Sequence, residues 1–277
     1  MKARPDIARV ATGARGLAHL GAERREITRA LPEETPVAIT VNGSTQAVMM
    51  ASPADIEDFA TGFALSEGIV ESLAEIESVE ALEIEGGIEA RLWLDDARAE
   101  ALGERRRAML GPVGCGLCGI DSLAQAMRPL PEVPDGADFD VAEIAGAGDG
   151  LRAHQPMHDL TRAVHAAGFL QPGQGITHAR EDVGRHNALD KLIGALARDG
   201  ISATGGAFVM TSRVSVDIVQ KAAMAGVGTI VSVSAPTAHA LRLAEQAGLT
   251  LAAFARAGRV EVFCHPRRIM ESESDVA

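Results

Sequence analysis

The 277-residue sequence predicts an α/β protein, α+β overall, with a helix-covered sheet in its C-terminal half and a smaller β-hairpin and helix subdomain before it. Three observations carry that prediction. From about Asp140 onward, short apolar runs alternate with amphipathic segments, the grammar of βαβ units and of a mainly parallel sheet. Gly200, Gly226 and Gly248 fall where the helices of that half would need a left-handed terminal residue. Nearer the N-terminus, Asn42-Gly43 and Gly86-Gly87 each separate two apolar segments, as tight hairpins require. The domain reading is a loosely held leader over 1–33, an N-terminal subdomain over 34–135 and an α/β domain over 136–277.

The elements follow in order. Val37, Ile39 and Val41 alternate with smaller or polar residues in a hairpin over 35–50. Ser52-Pro53-Ala54-Asp55 then opens a helix, with Ser52 as cap and Pro53 in the first turn. Ile56, Phe59, Ala60 and Phe63 continue it at helical spacing, and Gly68 ends it. Leu82 and Ile84 face Ile88, Ala90, Leu92 and Leu94 in the second hairpin. A helix is expected over 96–110, its Arg105-Arg106-Arg107 run a solvated face, and a short one over 121–127. The Pro-rich stretch 129–136 reads as a linker. Beyond it, helical patterns cover 141–145, 157–164, 185–198, 214–225 and 236–247, and strand-like runs cover 207–211, 229–233, 249–254 and 260–264.

Composition narrows function. With 26 basic and 38 acidic residues, the formal net charge is −12, and such a field repels phosphate backbones and anionic headgroups. One Trp, no Tyr and seven Phe leave few rings on which to stack bases. No nucleic-acid or membrane partner is therefore expected. No stretch has the ~20 apolar residues of a spanning helix, and no signal peptide is expected, so the expected location is the cytoplasm. An odd count of three cysteines does not form a disulfide framework.

Four polar constellations remain. Gly114-Cys115-Gly116-Leu117-Cys118-Gly119 places two thiols within mutual reach on a glycine-flanked loop. A helix starting at Asp121 or Ser122 would favour the thiolate, the nucleophilic form, which can accept sulfane sulfur as a persulfide. Competing readings are a zinc site completed by Cys264 and His265, a thioredoxin-like redox pair, and a partner-binding adaptor with incidental cysteines. Zinc deamination is disfavoured, because no histidine has Glu two residues later. The string from Arg180 to Gly194 would hold an anion through Arg180, Arg185 and the helix start, with His186 moving a proton. Alternatively it is an internal ion-pair network, with Asp182 at the helix N-terminus and Lys191 on the exposed face. Thr211-Ser212-Arg213-Val214-Ser215, at a strand end, would read a phosphate or simply cap a helix through Thr211 or Ser212. Phe254-Ala255-Arg256-Ala257-Gly258-Arg259 carries two arginines around a glycine turn.

Taken in order, and with Phe63-Ala-Leu-Ser-Glu-Gly-Ile69 before them, these motifs resemble one family, the formate dehydrogenase accessory sulfurtransferases called FdhD or NarQ. The resemblance runs from about Leu31 onward. It implies an enzyme of the sulfurtransferase class that takes sulfur from a cysteine desulfurase and passes it to the molybdenum cofactor before insertion into formate dehydrogenase. It also implies Cys115 as the persulfide carrier, Cys118 as its assistant, and contact of Phe254, Ala255, Arg256, Ala257, Gly258 and Arg259 with bis(molybdopterin guanine dinucleotide). A cytidine-deaminase-like three-layer C-terminal domain and a homodimer are implied as well. The acceptor is cargo, so neither a metal site nor a permanently bound cofactor is expected. One departure stands out. The family commonly has Thr-Gly-Gly before its His-Ala-Ala run, whereas this chain has Thr161-Arg162-Ala163-Val164-His165-Ala166-Ala167. With the glycines gone, the approach of that strand to a ligand is in question, and His165 is left outside the expected site.

Overall fold

A computed structural model describes residues 10–21, 23–95, 98 and 130–271. The expected helices over 96–110 and 121–127 lie largely or wholly outside these residues.

Two lobes share the described chain. In the N-terminal lobe, strands β3 (Thr35–Val41), β4 (Ser44–Ala51), β5 (Ile76–Ile84) and β6 (Gly87–Leu94) form a sheet in the order β4-β3-β6-β5. Alternation turns Val37, Ile39, Val41, Ile88, Ala90, Leu92 and Leu94 inward, onto Phe59 and Ala60 of helix α1 (Ile56–Ser66). Asn42 and Gly43 both take positive φ (46° and 75°), the backbone of a two-residue hairpin turn. Ser52 does not cap α1: the N-cap is Asp55, left-handed at φ 53° and without a side-chain cap bond. Ser52 is buried and bonded to the C-terminal lobe instead.

In the C-terminal lobe, six strands lie in the order β13-β12-β11-β10-β8-β9. They are β8 (His165–Gln171), β9 (Gly175–Asp182), β10 (Ala207–Met210), β11 (Thr229–Ser232), β12 (Thr250–Arg256) and β13 (Arg259–Cys264). This corrects the expected mainly parallel sheet. Only β10–β11 and β11–β12 are parallel, whereas β8–β9, β8–β10 and β12–β13 are antiparallel. For β8–β9 and β12–β13 the cause is loop length, since strands joined by a few residues at Gly173–Gly175 or Ala257-Gly258 can pair only as hairpins.

Helix α2 (Val141–Arg152) starts with a capping box between Asp140 and Glu143. Through Ile144, Ala147 and Leu151 it covers one sheet face. Helices α4 (Arg185–Arg198), α5 (Val216–Ala225) and α6 (Ala238–Ala247) cover the other, through Leu189, Leu192, Ile218, Val219 and Ala244. The short α3 (Pro156–Thr161) precedes β8. Strands β7 (Phe139–Asp140) and β14 (Ile269–Met270) pair beside α2.

The lobes meet where α1 crosses α4 at a pair of glycines. A Cβ on Gly62 would sit 1.7 Å from the Asp190 carbonyl oxygen, and one on Gly194 would sit 1.9 Å from that of Asp58. Only glycine permits this approach.

Residues 1–33, expected as a loosely held leader, contain a hairpin: β1 (Ala11–Leu20) pairs along its whole length with β2 (Glu23–Pro32). It has no continuous buried face, so the sequence carries no apolar alternation to announce it. Val10 anchors its base against Met157 and Val164.

Candidate functional site

The string from Arg180 to Lys191 looks like an active site in sequence but turns most of its charge inward. Arg180 binds Asp58 at 2.7 Å. Both Glu181 oxygens accept the first amides of α3, from Met157 and His158 at 2.8 Å, and burial pushes this carboxyl above its ordinary pKa. Lys191, expected on an exposed face, is wholly buried. Its Nζ lies 2.6 Å from Asp182 and donates to the Ser52 carbonyl at 2.9 Å. Asp182 also accepts from the amides of Ser52 and Gly184 and from the Asn187 amide group. One turn along α4, Asp190 accepts from Ser66 at 2.6 Å and lies 3.0 Å from Lys221, which also binds Glu67. Burial works against the Lys221 charge, but Asp190 and Glu67 outweigh it and hold its pKa above the ordinary lysine value. These charges join the two lobes. Of the two readings of this string, the internal network describes most of it, with Lys191 moved from surface to core.

Arg185 and His186 differ, because they begin α4 at the edge where the parallel strands end. Open α/β sheets bind ligands beyond the carboxyl ends of their strands, where backbone amides and loop side chains converge. Here that edge comprises Thr211–Arg213 after β10, Val233-Ser234 after β11 and Phe254 within β12. A hydrogen-bonded path ties the three together. The Phe254 amide donates to the Ser234 carbonyl (3.3 Å), the Ser234 amide to Ser232 Oγ (3.0 Å), and Ser232 Oγ to the Ser212 carbonyl (2.7 Å). Neither Thr211 nor Ser212 caps α5, whose N-cap is Ser215. Thr211 instead binds the backbone of Ala166, beside His165. His186 Nε2 lies 3.4 Å from both Ser215 Oγ and Asp217 Oδ2, and that contact holds the Asp217 carboxyl below its ordinary pKa. His165 is held below the usual histidine value by burial and then by the Arg185 charge. Arg185 Nε is buried without a hydrogen-bond partner among the described residues.

The turn after β12 projects from the same edge. Phe254 (φ 54°), Ala257 (φ 51°) and Gly258 (φ 71°) are left-handed, and the β12–β13 register shifts between Ala253 and Arg256. Two non-glycine residues held there mark a backbone over-determined by its surroundings. Part of the support is visible: the Phe254 ring lies 6.2 Å from that of Phe263, and the Ala257 amide donates to Asp149 at 3.2 Å. The turn and α2 enclose a groove of about 880 Å³, lined by Val141, Ala145, Phe254, Arg256 and Arg259. Arg256 and Arg259 are exposed, and among the described residues neither forms an ion pair.

Cys115 and Cys118 lie outside the described residues. The chain on either side is anchored: Arg98 Nε donates to the Ile69 carbonyl (2.7 Å), and the Val133 amide to that of Ala247 (2.9 Å). Of the proposed zinc ligands, Cys264 is buried with its thiol on the Leu249 carbonyl, and the His265 ring sits against the Glu245 carbonyl. Among the described residues no metal-binding group of three or more side chains occurs.

The structure thus brings together Arg185, His186, Ser212, Arg213 and Phe254, which the sequence presented as three separate motifs, and it withdraws Arg180. It adds His165 and Asp217. The signal for Asp217 was its place six residues after Thr211 at the same strand end. For His165 the doubt was the missing glycine pair, yet Arg162 holds the left-handed conformation a glycine would take (φ 59°).

A mixed α/β sheet with basic and hydroxyl side chains gathered at its parallel carboxyl edge defines an α/β protein whose polar crevice lies at the strand ends. The chain belongs to the FdhD/NarQ family, whose model matches residues 32–270. The chain is 49% identical over 243 residues to the sulfur carrier protein FdhD of Agrobacterium fabrum, covering 87% of this chain and 90% of that one. The protein of the same name from Bordetella petrii is 44% identical over 237 residues, covering 86% of this chain and 85% of that one. The crystal structure of a candidate formate dehydrogenase accessory protein from Desulfotalea psychrophila superposes with a TM-score of 0.76 at 27% identity, covering 94% of this chain and all of that one.

Proposed function

We propose that this protein is a sulfur carrier of the sulfurtransferase class that works for formate dehydrogenase in the cytoplasm. The observation that carries the reading is the kinship with proteins named sulfur carriers, at 49% identity over nine-tenths of the relative, in a chain with a glycine-flanked Cys115-Gly-Leu-Cys118. The Cys115 thiolate attacks the outer sulfur of a cysteine desulfurase persulfide. The donor's S–S bond breaks, the donor leaves as a thiolate, and a persulfide forms on Cys115. Attack by the Cys118 thiolate on Cys115 Sγ then releases hydrosulfide and leaves a Cys115–Cys118 disulfide, which a dithiol reductant resets. The acceptor is the molybdenum cofactor, bound as bis(molybdopterin guanine dinucleotide) cargo. Arg256 and Arg259 suit its anionic groups, and the groove beside Phe254 offers an apolar wall. The crevice of Arg185, His186 and Arg213 on the same edge, in a domain with the family's cytidine-deaminase-like description, extends that basic surface.

A Cys115→Ala variant is expected to fold as the parent does and to lose formate dehydrogenase activity in a complementation assay. Full rescue by that variant would refute the carrier mechanism.

A further inference from the structure

The groove beside the turn after β12 holds one group that does not fit an anionic cargo. Arg256 and Arg259 suit phosphate, and Val141, Ala145 and Phe254 supply apolar surface, but Glu261 of β13 lines the same groove. Glu261 is exposed, and among the described residues its side chain forms neither a hydrogen bond nor an ion pair. The other acids around the groove have partners. Asp149 accepts the Ala257 amide at 3.2 Å, and Asp140 and Glu143 close the capping box of α2. A free carboxylate beside a polyanion weakens binding through like-charge repulsion, unless it meets hydrogen-bond donors on the ligand.

The bis(molybdopterin guanine dinucleotide) cargo supplies such donors at one place. Each nucleotide end carries guanine, whose N1–H and 2-amino group lie side by side and point the same way. A carboxylate accepts both at once, as a charge-assisted bidentate pair. Adenine presents a bare N1 lone pair there, which a carboxylate repels, and hypoxanthine keeps N1–H but lacks the amino group. Position agrees with chemistry. Glu261 stands two residues beyond Arg259, roughly 7 Å along a strand, so the groove passes from guanidinium to carboxylate as a nucleotide passes from diphosphate to base.

We infer that Glu261 selects guanine, while Arg256 and Arg259 hold the diphosphate of the same nucleotide. The inference rests on the cofactor reading proposed above. It adds a specificity that the arginines do not supply, since a diphosphate is the same whichever base it carries. The carboxylate acts in both directions, attracting guanine and repelling adenine.

The test is isothermal titration of the full chain with GDP, IDP, ADP and XDP, the diphosphates carrying guanine, hypoxanthine, adenine and xanthine. The parent is expected to bind GDP at least about tenfold more tightly than ADP, with IDP between them, as hydrogen bonds to a charged group imply. Glu261→Gln is expected to lose at least about tenfold in GDP affinity and none in ADP affinity. It should also prefer XDP to GDP, because the amide accepts from N1–H and donates to the 2-carbonyl of xanthine. A misfolded variant would lose every affinity and could not produce that inversion. Equal binding of GDP and ADP by the parent, or a Gln variant that keeps the parent's order, would overturn the assignment of Glu261 and leave the cofactor reading intact. Failure of all four diphosphates to bind the parent would overturn both.

Discussion

Two charge-rich regions, the 180–191 string and the turn at 254–259, read alike as sequence and behave oppositely as structure. In the first, apart from Arg185 and His186 at the strand edge, carboxylates and cations are buried and matched, with Lys191 on Asp182, Lys221 on Asp190 and Arg180 on Asp58. In the second, Arg256 and Arg259 face solvent from a turn held in an uncommon backbone conformation. A buried charge must find its counter-charge inside the protein, so a fully partnered one has little left to offer a ligand. An exposed pair of guanidinium groups fixed over a groove keeps its hydrogen bonds available. Density of polar residues therefore locates structure as readily as function, and pairing distinguishes them.

The difference can be broken experimentally. The largest effect is expected from Lys191→Met, which leaves the Asp182 carboxylate buried without its cation and should cost about 3–5 kcal/mol of unfolding free energy in urea titration. A loss within about 0.5 kcal/mol, the usual size for an exposed site, would show that the buried string is not the clamp described here.

That clamp also marks where local sequence patterns stop being informative. Asp58 and Arg180 are 122 positions apart, and Ser52 and Lys191 are 139 apart, so no window of helical or strand period contains both partners. A lysine in an amphipathic helix is placed outside by default, and a serine before Pro53 looks like a cap until the other lobe claims it. By contrast, α4 occupies 185–198 as its apolar spacing implies, and Asn42-Gly43 turns where its chemistry requires. The strands β8 and β9 were not legible as a pair, because their apolar alternation is broken by Gly168, Thr177, His178 and Arg180. The site was legible as fragments. Arg185, Arg213 and Phe254 each announced a strand end, but only the strand order places those ends on one edge.

A smaller effect comes from the boundary between the two regions. His165, depressed below its ordinary 6.5 by burial and by Arg185, binds its proton less readily folded than unfolded. The unfolded chain therefore takes up the extra proton first. The contribution is intact at neutral pH and is lost as pH falls below 6.5. His165→Gln should flatten that part of the stability–pH curve, and an unchanged curve would remove His165 from the charged edge.

The smallest stability effect belongs to the turn. Arg256→Gln with Arg259→Gln should leave unfolding free energy within about 0.5 kcal/mol of the parent. It should nonetheless lower affinity for the nucleotide end of the cofactor about tenfold or more, as loss of charge-assisted hydrogen bonds does. Unchanged affinity in isothermal titration would move the cofactor surface away from this turn.

The sulfur itself gives the most direct test. Purified protein incubated with a cysteine desulfurase and cysteine, then digested without reductant and mapped by mass spectrometry, should carry one additional sulfur atom on the peptide containing Cys115, and Cys115→Ala should carry none. Protein that gains no sulfur from an active desulfurase, or gains it equally without Cys115, would contradict the account.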